Sequence, residues 1–132
     1  MRLTLNLNAE RAVSRVLVID DEQLILSLLE EALSQVDFSV VTASAGSDGI
    51  RKFDEGVYDL VITDIRMPGS DGNVVIHHIR NSKNGTTPVI GISGTPVLVD
   101  RDQFDRVLTK PFAIKALIDT ARSLTRLTVP EQ

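Results

Sequence analysis

The sequence predicts a doubly wound α/β domain built on a five-stranded parallel sheet with helices on both faces. Three observations carry this. Short apolar runs rich in β-branched residues recur five times, the segments between them have helical spacing, and most of the runs lack the polar alternation of a strand with one wet face. At 132 residues the chain has the length of one domain with a sizeable core.

Before the first run lies a leader, residues 1–14, in which "LTLNLN" alternates apolar and polar over positions 3–8. It is predicted to be an extension that is either disordered or adds an edge strand. The first strand is "RVLVID" (15–20), followed by a helix in "QLILSLLEEALSQV" with Ile25, Leu29, Ala32, Leu33 and Val36 on one stripe. "FSVVTA" (38–43) is the second strand, and a helix over 47–55 turns Ile50 and Phe53 inward. "DLVITD" (59–64) is the third, with a helix over 72–81 facing inward through Val75, Ile76 and Ile79. "PVIGIS" (88–93) is the fourth strand and "DRVLT" (105–109) a weaker fifth. A closing helix in "AIKALIDTARSLTRL" presents Ile114, Leu117, Ile118, Ala121 and Leu124, and residues 126–132 form a tail. The domain proper is thus expected over 15–125. Alternating strands and helices of this kind make an α/β fold.

Composition narrows the function. There is no cysteine, which excludes a disulfide framework and a thiolate metal site. No apolar run approaches membrane-spanning length, and the leader lacks a signal peptide's apolar core, so a cytoplasmic protein without membrane insertion is expected. Eighteen acidic residues against fourteen Lys and Arg give a net charge of -4 with no basic block, which argues against direct nucleic-acid binding. After the last helix only "TVPEQ" or so follows in this sequence, so a DNA-binding output domain is not expected here and action through a partner protein is.

In doubly wound sheets the functional crevice lies at the carboxyl ends of the strands. There the sequence places Asp20 and Asp21 on strand one, Asp64 on strand three, Ser93 on strand four and Lys110-Pro111 on strand five. Carboxylates converging on one rim repel each other and call for a cation, and an oxygen-only donor set favours a hard ion, Mg2+ before Zn2+. Lys110 offers a point charge and Ser93 a hydroxyl, both suited to phosphoryl oxygens. An Asp carboxylate can itself accept a phosphoryl group as an acyl phosphate. Singly, each residue has a structural explanation: Asp20-Asp21 as a helix cap, Asp64 as the opening of the Pro68-Gly69 turn, Ser93 and Lys110 as loop residues. Their conjunction at four strand ends points to a site. His77 and His78 are adjacent on a predicted helix, about 100° apart, and are expected at the surface or half-buried instead of sharing a metal.

The segments "VLVIDDE", "DLVITDIRMPGSDG", "ISGT" and "LTKPF" closely resemble the receiver domain of two-component response regulators, in the same order over roughly residues 15–125. The resemblance implies a flavodoxin-like strand order 2-1-3-4-5 and a phosphorelay signalling switch. Asp64 would be the phosphoacceptor, receiving its group from a sensor histidine kinase or a histidine phosphotransfer protein. Asp20, Asp21, Asp64 and the backbone carbonyl of Arg66 would hold Mg2+. Lys110 would pair with the phosphoryl group, Ser93 would move to hydrogen-bond it, and the Lys110-Pro111 bond would be cis. Gly94 would leave the acyl phosphate open to a partner or to water, and Arg66 could shape that access. Beyond its own phosphorylation and dephosphorylation no enzymatic turnover is implied, and a downstream protein partner is.

Two departures from the family stand out. Val107 occupies the place of a Tyr or Phe whose ring turns inward on activation; a β-branched residue packing in the fifth strand accounts for it. Ser93 and Lys110 lie only 17 positions apart, leaving residues 94–104 for a crossover that generally needs a dozen or more. With Pro96 present, the helix between strands four and five is expected to be shortened or missing. The alternative functional reading is a pseudo-receiver that binds a partner without phosphorylation. A Mg2+-dependent phosphohydrolase is disfavoured, because Ile65-Arg66-Met67-Pro68 after Asp64 contains no second carboxylate.

Overall fold

The structure, a computed structural model, describes residues 13–67, 72–94 and 103–125. Strands β1 (Ser14–Ile19), β2 (Phe38–Ala43), β3 (Leu60–Asp64), β4 (Val89–Ser93) and β5 (Arg106–Thr109) form one parallel sheet in the order β2-β1-β3-β4-β5. Helices α1 (Gln23–Ser34), α2 (Gly46–Glu55), α3 (Gly72–Arg80) and α4 (Ile114–Thr125) complete the described elements. None of them is long and apolar enough to cross a membrane. The expectations for the leader, the tail, the Pro68-Gly69 turn and the helix between strands four and five fall largely or wholly outside the described residues.

The missing polar alternation has a plain cause. Val16, Val18, Leu60, Ile62, Ile90 and Ile92 face α1 and α4, packing on Leu26, Leu29, Leu33, Leu117 and Ala121. Leu17, Ile19, Val61, Ile65 and Val89 face the other way, onto Phe53 of α2 and Val75, Ile76 and Ile79 of α3. Both faces of the central strands are therefore dry, and both parities must be apolar. Gly49 lets α2 approach β1: a Cβ there would stand 2.4 Å from Ile19 Cδ1.

The α1 stripe differs from the sequence expectation. The buried positions are Leu26, Leu29 and Leu33, with Ile25, Ala32 and Val36 at the flank. The helix is apolar on more than one side, which is why spacing alone chose a neighbouring stripe: Leu24 and Leu28, one turn apart, are 84% and 47% exposed. Between α1 and β2 the chain turns at Asp37, whose positive φ of 73° a short polar side chain tolerates.

Candidate functional site

The in-register parallel sheet brings the ends of β1, β3, β4 and β5 to one rim, since Ile19 pairs with Thr63, Asp64 with Ile92 and Ser93 with Thr109. Asp20, one residue past β1, is buried and tied down by its N–H to the carbonyl of Ala43 at 3.1 Å. Its Oδ1 accepts the Glu22 N–H at 2.8 Å, while Oδ2 is buried with no hydrogen-bond partner among the described residues. Asp20 is thus not the cap of α1; Glu22 stands at that position and makes no side-chain cap bond.

Asp64, the last residue of β3, is 4% exposed. Lys110 Nζ lies 3.4 Å from its Oδ2 and 3.8 Å from Glu22 Oε1. The backbone N–H of Lys110 donates to Ser93 O at 2.9 Å, which locks the start of the β5–α4 turn onto the end of β4. The Lys110-Pro111 bond is cis. Ser93 is fully buried.

Carboxylate oxygens of Asp20, Asp21 and Asp64 lie within 4.8 Å of one another. Burial, and to a smaller degree the neighbouring Asp64, pushes the Asp20 carboxyl up to about 6 against the opposing Glu22 N–H. Burial also raises the Asp64 carboxyl, although Lys110 and the Arg66 backbone N–H pull it down. Two buried acids that resist ionisation, with one oxygen unpartnered, fit a hard divalent cation with oxygen donors. A chamber of about 350 Å³ opens above Asp64, lined by Asp64, Arg66, Gly94 and Lys110. A Cβ added at Gly94 would meet nothing within 4 Å among the described residues. Beyond Lys110 and Glu22 the rim continues into a mostly apolar groove of about 410 Å³ along Ile25, Leu28, Pro111, Phe112 and Ile114.

All the predicted site residues therefore converge, and the histidines stay away: His77 is exposed and His78 is half-buried, pairing with Asp54 at 2.8 Å. Val107 is partly buried against the α2/α3 core, as a packing residue would be. Neither Glu22 beside Lys110 nor the packing of Phe104 on Gly91 has a signal in the sequence, because both depend on loop paths that no periodicity encodes.

Over residues 16–122 the chain matches the family described as the response regulator receiver domain. It is 36% identical over 119 residues to a probable transcriptional regulator, ycf27, of Guillardia theta, covering 86% of this chain and 46% of that protein. To the transcriptional regulatory protein ResD of Bacillus subtilis it is 32% identical over 118 residues, 86% of this chain and 48% of that one. The chain spans about half the length of the curated relatives it matches. Among solved structures, the response regulator TrrA of Thermotoga maritima in complex with Mg2+–BeF superimposes with a TM-score of 0.79 at 33% identity, covering 85% of this chain and 99% of that one. A receiver domain from Clostridium thermocellum gives 0.78 at 28% identity, covering 86% and 94%. Sheet order, acidic rim and sequence similarity agree, and this chain belongs to the receiver domains of two-component response regulators.

Proposed function

We propose that the protein is a phosphorylation-dependent switch that takes a phosphoryl group from a phosphohistidine onto Asp64. The observation that carries this reading is the placement of Asp64: buried, beside two other carboxylates, 3.4 Å from Lys110, and lining a chamber. A carboxylate oxygen of Asp64 attacks phosphorus, the P–N bond to the imidazole breaks, and the histidine leaves. Lys110 offsets the charge added to the chamber, and Ser93, buried at the end of β4 beside it, offers a hydroxyl to a phosphoryl oxygen once it turns toward the site. Asp20, Asp21, Asp64 and the Arg66 backbone carbonyl are the residues that would hold Mg2+, which when bound neutralises phosphoryl oxygens. The Mg2+–BeF complex of TrrA supports this assignment by similarity.

The donor in this reading is a sensor histidine kinase or a histidine phosphotransfer protein, in the cytoplasm. The groove that starts at Glu22 and Lys110 lies beside the chamber over Asp64, with Lys110 lining both. Output passes through protein contacts of the receiver, residues 15–125. The relatives named as transcriptional regulators are about twice as long as the matched region, so their DNA contacts, if they reside in the remaining half, would be governed by the receiver and not made by it.

Intact mass after incubation with Mg2+ and acetyl phosphate tests the reading. One added phosphoryl group, absent without Mg2+ and in Asp64→Asn, is expected. No addition to folded protein would instead favour a receiver that binds partners without phosphorylation.

A further inference from the structure

The edge strand β5 is short and poorly covered, yet it delivers Lys110 to the rim. It has four residues, pairs among the described residues with β4 alone, and leaves Arg106 and Thr109 exposed. Four ladder residues on one neighbour are too few to hold independently of their ends. Residues 94–105 connect it to β4.

What fixes the entrance of β5 is a single guanidinium. Arg80, the last residue of α3, donates from Nε to Gln103 O at 2.9 Å and from Nη1 to Gly85 O at 2.8 Å and Thr87 O at 2.7 Å. Its Nη2 donates to Asp105 Oδ2 at 2.9 Å. That carboxylate also accepts the Val89 N–H at 2.8 Å, and the Asp105 N–H returns a bond to Val89 O at 3.0 Å. Arg80 thereby ties the end of α3, the loop before β4, the first residue of β4 and the two residues that flank Phe104.

Phe104 completes the device from the apolar side. It is buried against the middle of β4, where residue 91 is glycine; a Cβ there would lie 2.9 Å from two ring carbons of Phe104 and 2.8 Å from Ile65 Cδ1. Gly91 is thus the socket, and Ile65, which touches the same point, follows Asp64 directly. With backbone clamped on both sides and its ring seated, Phe104 is a fixed aromatic contact.

We propose that Arg80, Asp105 and Phe104 form an anchor that holds the entrance of β5, and that Arg80 acts through β5 as a positioning residue for Lys110. The role of Lys110 rests on the switch reading; the anchor itself does not. Lys could not substitute for Arg80, because one ammonium cannot serve four acceptors spread around a planar fork.

Native-state amide exchange on the unphosphorylated full chain tests this, comparing wild type with Arg80→Gln, Arg80→Lys, Asp105→Asn and the Arg80→Gln/Asp105→Asn pair. Protection of the Arg106–Thr109 amides and of the Lys110 amide bonded to Ser93 should fall roughly tenfold or more in each single variant, with β1 and β3 unchanged. The double variant should lose no more than the worse single one, as expected of one shared unit. Uniform loss across all strands, unchanged protection of β5, or full rescue by Lys would each overturn the anchor. Phosphoryl uptake from acetyl phosphate, run alongside, should slow in Arg80→Gln. If wild type takes up none, the switch reading fails while the exchange pattern still decides on the anchor.

Discussion

At the carboxyl ends of the strands, Asp20 and Asp64 are buried with their carboxyls pushed upward, and Asp20 Oδ2 has no hydrogen-bond partner among the described residues. At the amino ends, Asp105 sits under Arg80 and accepts the Val89 N–H, and the guanidinium makes four hydrogen bonds. The two regions use the same pair of residue types, an aspartate with a long cation, and arrange them oppositely. An under-satisfied buried charge raises the energy of the folded chain and is relieved when a cation binds. A fully satisfied one contributes to stability and has nothing left to offer a ligand. The rim is built for binding and the anchor for support.

Removing charge should therefore have opposite signs at the two ends. Arg80→Ala leaves Asp105 and three carbonyls without their donor and should lower unfolding free energy by about 3 kcal/mol, reduced from the fully buried case because the side chain is 20% exposed. Asp20→Asn should do the reverse. The folded state holds the Asp20 proton more tightly than the unfolded chain, so this group's contribution falls as pH rises from 3.8 to about 6 and stays low at pH 7. A shift of about two units corresponds to about 3 kcal/mol, of which a neutral isostere with its own buried amide should recover about 2 kcal/mol. Urea denaturation across that pH range, without divalent cations, should show wild type losing stability relative to Asp20→Asn as pH rises. Adding Mg2+ should restore the wild type and leave the variant nearly unchanged. A variant less stable than wild type at neutral pH would break the contrast.

The rim was legible in the sequence and the anchor was not, for a physical reason. Asp20, Asp64, Ser93 and Lys110 each end a strand or come directly after one, and strands announce themselves by apolar runs; a parallel sheet then places their ends together without further information. All five strands could be read with an error of one residue or less at each end, the central ones because both faces are dry. Arg80 acts on carbonyls of Gly85, Thr87 and Gln103, whose positions depend on loop paths. Leu24 and Leu28 escaped for another reason: a helix with apolar residues on two sides has more than one candidate stripe. Phe104 and Gly91 lie 13 positions apart with no shared period, and only the close approach in space relates them.

The two glycines of this region give the finest version of the comparison. Gly91→Ala must push the Phe104 ring or Ile65 by several tenths of an ångström, since both sit under 3.0 Å from the new methyl group. The ring is held on either side by Arg80 and cannot retreat freely, so the expected loss is about 1 kcal/mol, concentrated in β5 amide protection. Gly94→Ala, three residues later at the rim, adds the same methyl group where nothing among the described residues lies within 4 Å. Stability should stay within about 0.5 kcal/mol of wild type. The methyl group enters the chamber shared by Asp64, Arg66 and Lys110, so the acyl phosphate should hydrolyse several-fold more slowly while total uptake is retained. Intact mass followed over time after removal of acetyl phosphate measures that lifetime. An unchanged lifetime would mean that water reaches Asp64 by a path that does not pass residue 94.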